Sequence, residues 1–290
     1  MITACRLCPR NCGVPREETG NGVCRSGETM RIARAALHFW EEPPISGKQG
    51  SGAVFFTGCT LGCVFCQNGE ISHGPNRGKE ATPEELSRIF FSLVDQGAHN
   101  INLVTPTHFV PKIREALLLR KLPVPVVYNT SGYERVETLR MLEGLVDIYL
   151  PDYKYDDPEL ALRLSRAADY PQTARAAIHE MVRQVGAPVY GEDGMMKQGV
   201  LIRHLILPGH TKNSIAALER IKREFPGIPV SLMAQYTPCG NLENFPELQR
   251  PITRREQQKV EDALFDLELD GFTQARAAKG QQYIPDFHSF

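Results

Sequence analysis

From residue 53 onward, short apolar runs alternate with amphipathic stretches of helical length, and no other feature limits the fold as sharply. Residues 53–56, 100–104, 124–128, 146–150, part of 199–207 and 229–234 have the length and apolar character of buried strands. Helical patterns lie between them. The first opens at Thr82, an N-cap residue followed by Pro83, and runs to about Asp95. Others cover 110–119, 134–142, a stretch after Pro158 interrupted near Tyr170 and Pro171, 212–225 and 253–267. Strands separated by helices imply βαβ units. The expected class is α/β: a parallel (β/α) barrel, partial or complete, over 53–290, with a C-terminal helix. Residues 31–52 read as a connector with a short strand at 33–40. Pro43 and Pro44 argue against helix or central strand there, and His38, Glu41 and Glu42 read as part of a solvated loop, with contact to the active site as the alternative. Residues 191–199, polar and Gly-rich, read as a surface loop.

In α/β sheets, ligands gather beyond the C-terminal ends of the strands. Polar tips fall there at 57–59, 105–108, 129–132, 151–154, 208–210 and 235–240. The first continues into Cys59, Cys63 and Cys66, spaced C-x3-C-x2-C. Three such thiolates can wrap one face of a cubane iron–sulfur cluster, which ordinarily takes four cysteines. One iron is then left open, and an open position separates a catalytic metal centre from a closed structural one. Zinc more often takes paired C-x2-C hooks, so the spacing favours a [4Fe-4S] cluster over zinc. His108 and His210 reach the same mouth, where a proton carrier would serve; a structural histidine is the plain alternative. Cys239, on the last tip, can donate hydrogen to a substrate radical or pack as a small hydrophobe.

Cys5, Cys8, Cys12 and Cys24 form a second group within 1–30, a stretch punctuated by Gly and Pro. So short a segment buries no useful core, and a bound metal would supply its folding energy. The spacing suits a zinc knuckle and an iron–sulfur site equally. Seven of the eight cysteines fall in these two groups, a metal pattern rather than a disulfide framework, which points to the reducing cytoplasm. A hydrophobic content of 42% suits a chain that buries a core. The net charge of −1, without a basic run, gives no electrostatic footprint for nucleic acid. No apolar stretch reaches membrane-spanning length, and the first residues lack a signal-peptide core.

The C-x3-C-x2-C spacing resembles the signature of the radical S-adenosylmethionine (SAM) superfamily. From about residue 51 to 240 the order of motifs is similar to that of the pyruvate formate-lyase-activating enzyme group. The matching pieces are the cluster loop, the run from Asn129 to Tyr133, the run from Leu150 to Lys154, Arg203 with its surroundings at 201–209, and the turn at 236–240. The N-terminal quartet and the segment Glu41, Glu42, Pro43, Pro44 resemble a less characterised branch of that group. The resemblance implies a [4Fe-4S] cluster on Cys59, Cys63 and Cys66 whose open iron chelates SAM. It implies one-electron cleavage to a 5′-deoxyadenosyl radical, hydrogen abstraction from a protein or peptide, and a reductant protein such as flavodoxin or ferredoxin. It places Phe65 against the adenine and Thr105, Pro106 and Thr107 at the SAM amino group. Asn129 and Ser131 then face the ribose, with Arg203 at the carboxylate and Lys154 as a second cation. Two departures stand out. The Thr105 to Thr107 run lacks the carboxylate of the group's Gly-Gly-Glu, and the quartet precedes the cluster cysteines instead of following them. A small-molecule substrate and a non-catalytic iron–sulfur or metal-binding module are the other readings; a carrier needs no SAM-facing tips.

Overall fold

A computed structural model describes residues 2–16, 20–74, 78–273 and 287. Residues 1 and 17–19 of the expected knuckle, and 75–77, 274–286 and 288–290 of the expected barrel domain, lie outside the described residues. Strand β1 (Met30–His38) leads through a short helix α1 (Pro43–Ser46) to β2 (Ser51–Phe56), its antiparallel neighbour. The stretch expected as a connector thus supplies a strand and a helix. Its prolines do not break α1, because they sit in the first turn, where a missing N–H removes no hydrogen bond.

Helix α2 (Gly69–His73) and strand β3 (Lys79–Ala81), antiparallel to β1, come next. The alternation then runs α3 (Pro83–Asp95), β4 (Ile101–Val104), α4 (Val110–Leu119), β5 (Val126–Thr130), α5 (Val136–Arg140) and β6 (Ile148–Pro151). Thr82 and Glu85 close a reciprocal capping box at the start of α3. Helices α6 (Pro158–Ser165) and α7 (Tyr170–Val185) are separated where Tyr170 and Pro171 suggest. Strands β7 (Val189–Tyr190) and β8 (Met196–Val200) form an antiparallel pair, so part of the expected surface loop is strand. The chain ends its described core with β9 (Ile202–Leu205), α8 (Thr211–Glu224), β10 (Val230–Met233), α9 (Arg254–Asp266) and β11 (Gly271–Thr273).

One sheet has the order β3-β1-β2-β4-β5-β6-β8-β7, and a second has the order β11-β10-β9. Pairing is parallel from β2 to β8 and antiparallel at both ends of the larger sheet. A bridge between Asp152 and Arg203 links the two sheets, because β9 continues the chain of β8 after Leu201. Among the described residues no ladder joins β11 to β3. The result is a mixed sheet consistent with a partial (β/α) barrel, not the all-parallel wall that alternation alone suggests. No helix of the described residues is long and apolar enough to cross a membrane.

Register decides which side chains share a face. Phe55 pairs with Val104, Val104 with Asn129, and Ala53 with Asn102, so these residues line one side. Val54, Phe56, Leu103 and Tyr128 line the other, in the main core with Leu86 and Phe90 of α3 and Ile113 of α4. The first side therefore buries two amides, Asn102 and Asn129. Buried amides need partners, and those partners build the site.

Candidate active site

Beyond β2 the chain turns at Gly58, whose φ of +84° and close quarters both exclude a side chain: a Cβ there would lie 2.5 Å from Cys24 O. The loop that follows carries Cys59, Cys63 and Cys66 as free thiols. Leu61 N–H donates to Cys59 Sγ at 3.4 Å and Ser165 Oγ–H to Cys63 Sγ at 3.1 Å, while Cys66 Sγ lies 3.6 Å from Ser72 Oγ. Burial, and then the neighbouring thiols, push Cys59 up and Cys66 up to about 12. Among the described residues no three Cys, His, Asp or Glu groups converge tightly enough to hold one ion. The three thiols are near enough for Cys63 to raise Cys59 and for Cys59 and Cys63 to raise Cys66, and soft sulfur donors are the ordinary ligands of an iron–sulfur cluster.

Next to this loop lies a buried polar network. The Arg203 guanidinium on β9 donates from Nε to Asp152 Oδ1 at 2.9 Å, from Nη2 to Asn129 Oδ1 at 2.6 Å and from Nη1 to Glu41 Oε2 at 3.2 Å. Lys154 Nζ donates to Asp152 Oδ2 at 2.5 Å. Asn102 and Asn129 both donate to Glu41 Oε1, at 3.1 and 3.2 Å. Burial works against charge on Asp152, but Arg203 and Lys154 together outweigh it and hold its carboxyl below the ordinary value. For Glu41 burial wins, Arg203 offsetting it only in part, and the carboxyl is raised. Lys154 is near enough to Cys63 and Cys59 to feel both thiols. Asn129, Lys154 and Arg203, three of the expected SAM-facing residues, thus come together. Glu41 and Glu42 do not lie in a solvated loop; Glu42 is 1% exposed. The sequence weighed Glu41 as a solvated side chain against a neighbour of the active site, and the structure brings it to Arg203, 162 residues away.

The tip after β4 is strained. Thr105 has a φ of +57°, a left-handed conformation that a β-branched residue rarely takes. Thr107 Oγ1 donates to Glu134 Oε1 at 2.6 Å, and Thr130 donates to the same oxygen. Glu134 is buried, and its Oε2 has no hydrogen-bond partner among the described residues. Burial pushes its carboxyl up to about 7, against the bonds from Thr107 and Thr130. A carboxylate therefore stands behind the run from Thr105 to Thr107 that lacks one of its own. Pro106 sits just before the 3-10 turn Thr107–Phe109. Ser131 accepts at its carbonyl from Tyr170 Oη at 2.8 Å. Phe65 is buried in the main core, edge-on to Tyr236 with ring centroids 6.2 Å apart.

His108 is also buried, with Nε2 2.7 Å from Thr57 O, and burial lowers its pKa to about 3. It braces the end of β2 as a neutral ring. His210 lies 3.4 Å from Glu247 Oε1. Burial raises the Cys239 thiol. The next residue, Gly240, packs so tightly on the cluster loop that a Cβ would meet Val64 O at 2.7 Å.

Residues 2–16 are closed by Cys5 N–H to Val14 O, Gly13 N–H to Cys5 O and Arg16 N–H to Ile2 O. They dock on the mouth of the sheet. Thr138 Oγ1 donates to Leu7 O at 2.7 Å, Arg135 donates to Arg6 O at 3.0 Å, and Arg16 donates to His108 O. Burial pushes the Cys8 thiol up to about 12, with Cys24, Glu134 and Cys12 adding to it. Burial also raises Cys24, with Cys5 adding. The quartet is thus an electrostatic neighbourhood of thiols.

The family model described as the radical SAM superfamily matches residues 53–221. An uncharacterized protein of Methanocaldococcus jannaschii is 30% identical over 275 residues, 92% of this chain and 75% of that protein. Streptococcus suis SuiB, solved with S-adenosylmethionine bound, is 15% identical with a TM-score of 0.49, over 75% of this chain and 45% of that one. Methylornithine synthase (PylB) is 18% identical with a TM-score of 0.49, over 73% of this chain and 60% of that one. The chain spans less than two thirds of the length of either solved protein.

Proposed function

The chain belongs to the radical SAM superfamily, and from that premise we propose that it cleaves SAM reductively at a [4Fe-4S] cluster and acts on a protein or peptide, as the pyruvate formate-lyase-activating enzyme group does. When bound, the cluster would supply one electron to the SAM sulfonium, whose S–C5′ bond would break to release methionine and provide the hydrogen-abstracting chemistry. The chain's own residues do the rest. Cys59, Cys63 and Cys66 would hold three of its irons, with Leu61 N–H donating to the Cys59 sulfur and Ser165 Oγ–H to the Cys63 sulfur. Lys154, beside Cys63, offers a cation to the SAM carboxylate. Arg203 offers its Nη1 edge, where Glu41 is the most distant of its three partners. Asn129 and Ser131 serve the ribose, and Phe65 gives an apolar surface for the adenine.

Glu134 takes the hydroxyl hydrogen of Thr107, which leaves that oxygen as an acceptor for the SAM amino group beside Thr105 and Pro106. Cys5, Cys8, Cys12 and Cys24 bind a second metal, zinc or iron–sulfur, in a 1–30 knuckle. The electron comes from a flavodoxin or ferredoxin in the cytoplasm. One observation carries this reading: the three thiols leave the C-terminal end of β2 next to the Lys154, Asp152 and Arg203 network. The test is anaerobic reconstitution with dithionite and SAM, followed by chromatography for 5′-deoxyadenosine. Replacing Cys59, Cys63 and Cys66 together by Ala should abolish that product and the SAM-dependent change in the cluster's electron paramagnetic resonance (EPR) spectrum. SAM cleavage by the triple variant would refute the ligand set.

A further inference from the structure

Arg10 stands midway between Cys8 and Cys12, yet its guanidinium reaches out of that segment. Nε donates to Thr60 O at 2.9 Å, and Nη2 donates to Leu61 O at 2.8 Å and to Ser165 O at 2.7 Å. Nη1 donates to Arg166 O, and the cation lies over the Tyr133 ring, 5.2 Å from its centroid. Two of these carbonyls belong to the loop between Cys59 and Cys63. The other two close α6, where Arg166 turns left-handed at φ 51°. Carbonyls at a helix end lack intrahelical partners and carry the negative end of the dipole. Loop carbonyls outside a ladder need donors as well. A planar fork of five N–H groups can serve both sets at once, and a lysine ammonium cannot span them.

Only a few further bonds hold the loop to α6. Val64 N–H donates to Leu164 O at 2.9 Å, and Ser165 Oγ–H donates to Cys63 Sγ at 3.1 Å. We infer that Arg10 is a positioning residue: it pins the loop bearing Cys59, Cys63 and Cys66 to the end of α6, and so makes the cluster site depend on the N-terminal segment. The pin itself is geometric; its consequence for a cluster rests on the function proposed above.

Full-length Arg10→Ala and Arg10→Lys variants test it. In the protein as purified anaerobically, amide hydrogen exchange over 59–66 should quicken about tenfold in Arg10→Ala, with α3 and α9 unchanged. In reconstituted protein the same variant should lose iron to a ferrous chelator about tenfold faster and broaden the EPR signal of the SAM-treated cluster. Arg10→Lys should restore little. Unchanged exchange at 59–66 in a folded Arg10→Ala chain overturns the inference. So does full rescue by lysine, or faster exchange spread evenly over the whole chain. If the wild type takes up no cluster but still shows Arg10-dependent protection at 59–66, the proposed function fails and the pin stands.

Discussion

Arg203→Ala removes one cation from between two buried carboxylates, and the two are left in different positions. Asp152 keeps Lys154 at 2.5 Å. Glu41 keeps only the amides of Asn102 and Asn129. An unpaired buried carboxylate can escape by taking a proton. From an ordinary pKa of 4.5, that costs ~4 kcal/mol at pH 7.5 and ~1.4 kcal/mol at pH 5.5, at 1.36 kcal/mol per unit. The larger figure falls within the ~3–5 kcal/mol range for breaking buried pairs. The sign follows from linkage. A carboxyl whose folded pKa is raised contributes stability below its unfolded pKa and loses it as the pH rises. Anaerobic urea unfolding should therefore show a deficit that is larger at pH 7.5 than at pH 5.5, by at most about 3 kcal/mol because burial already raises Glu41 beside Arg203 in the wild type. Adding Glu41→Gln should flatten that dependence. If Arg203 also holds the SAM carboxylate, affinity for SAM should fall about thirtyfold with iron content unchanged, as loss of a charge-assisted pair of ~2 kcal/mol requires. An equal deficit at both pH values would refute the reasoning about Glu41. Unaltered SAM affinity would confine Arg203 to the ion-pair network.

Changing Cys5, Cys8, Cys12 and Cys24 to Ser should leave the triad's cluster in place and make residues 1–30 sensitive to protease. Metal analysis of the anaerobically purified chain then identifies the second site. About four irons with one zinc mean a zinc knuckle, and about eight irons without zinc mean a second cluster. Only four irons, no zinc and a protease-resistant quartet variant would count against any metal there. Glu134→Gln should remove a pH dependence from the wild type. With its folded pKa at about 7, Glu134 contributes stability that is full below its ordinary value of 4.5 and lost as the pH rises through 7. The variant should gain on the wild type across that window in unfolding titrations, and parallel curves would show that Glu134 is not the titrating group.

Local signals carried much of the fold. Thr82 and Pro83 mark the start of α3, and Thr253 with Glu256 closes the same reciprocal cap on α9, because caps are made within four residues. The apolar runs of β4, β5 and β6 stand in the sequence because both their faces are covered. What escaped depends on distant partners. The antiparallel place of β1 needs β2 and β3 beside it. The burial of Glu41 needs Arg203 and Asn129, which reach it only through the closing of the sheet. Glu134 reads as a helix-opening acid until Thr107 is seen above it, 27 residues earlier in the chain. The cysteines were legible as a triad and a quartet from spacing alone. Nothing in that spacing says that Arg10, inside one group, reaches the loop of the other.

Thr105 carries a consequence for anyone who evolves this chain. A threonine held left-handed costs roughly 1–2 kcal/mol relative to an unstrained conformation, and glycine would bear no such penalty. A screen that ranks variants by melting temperature would therefore reward Thr105→Gly. The same change deletes a hydroxyl from the tip after β4 and frees a backbone whose N–H is now tied to Asn129 O. With the SAM amino group received at this tip as proposed, selection for heat resistance would push against selection for turnover at this one position, and libraries sorted by the first criterion alone would drift away from the second.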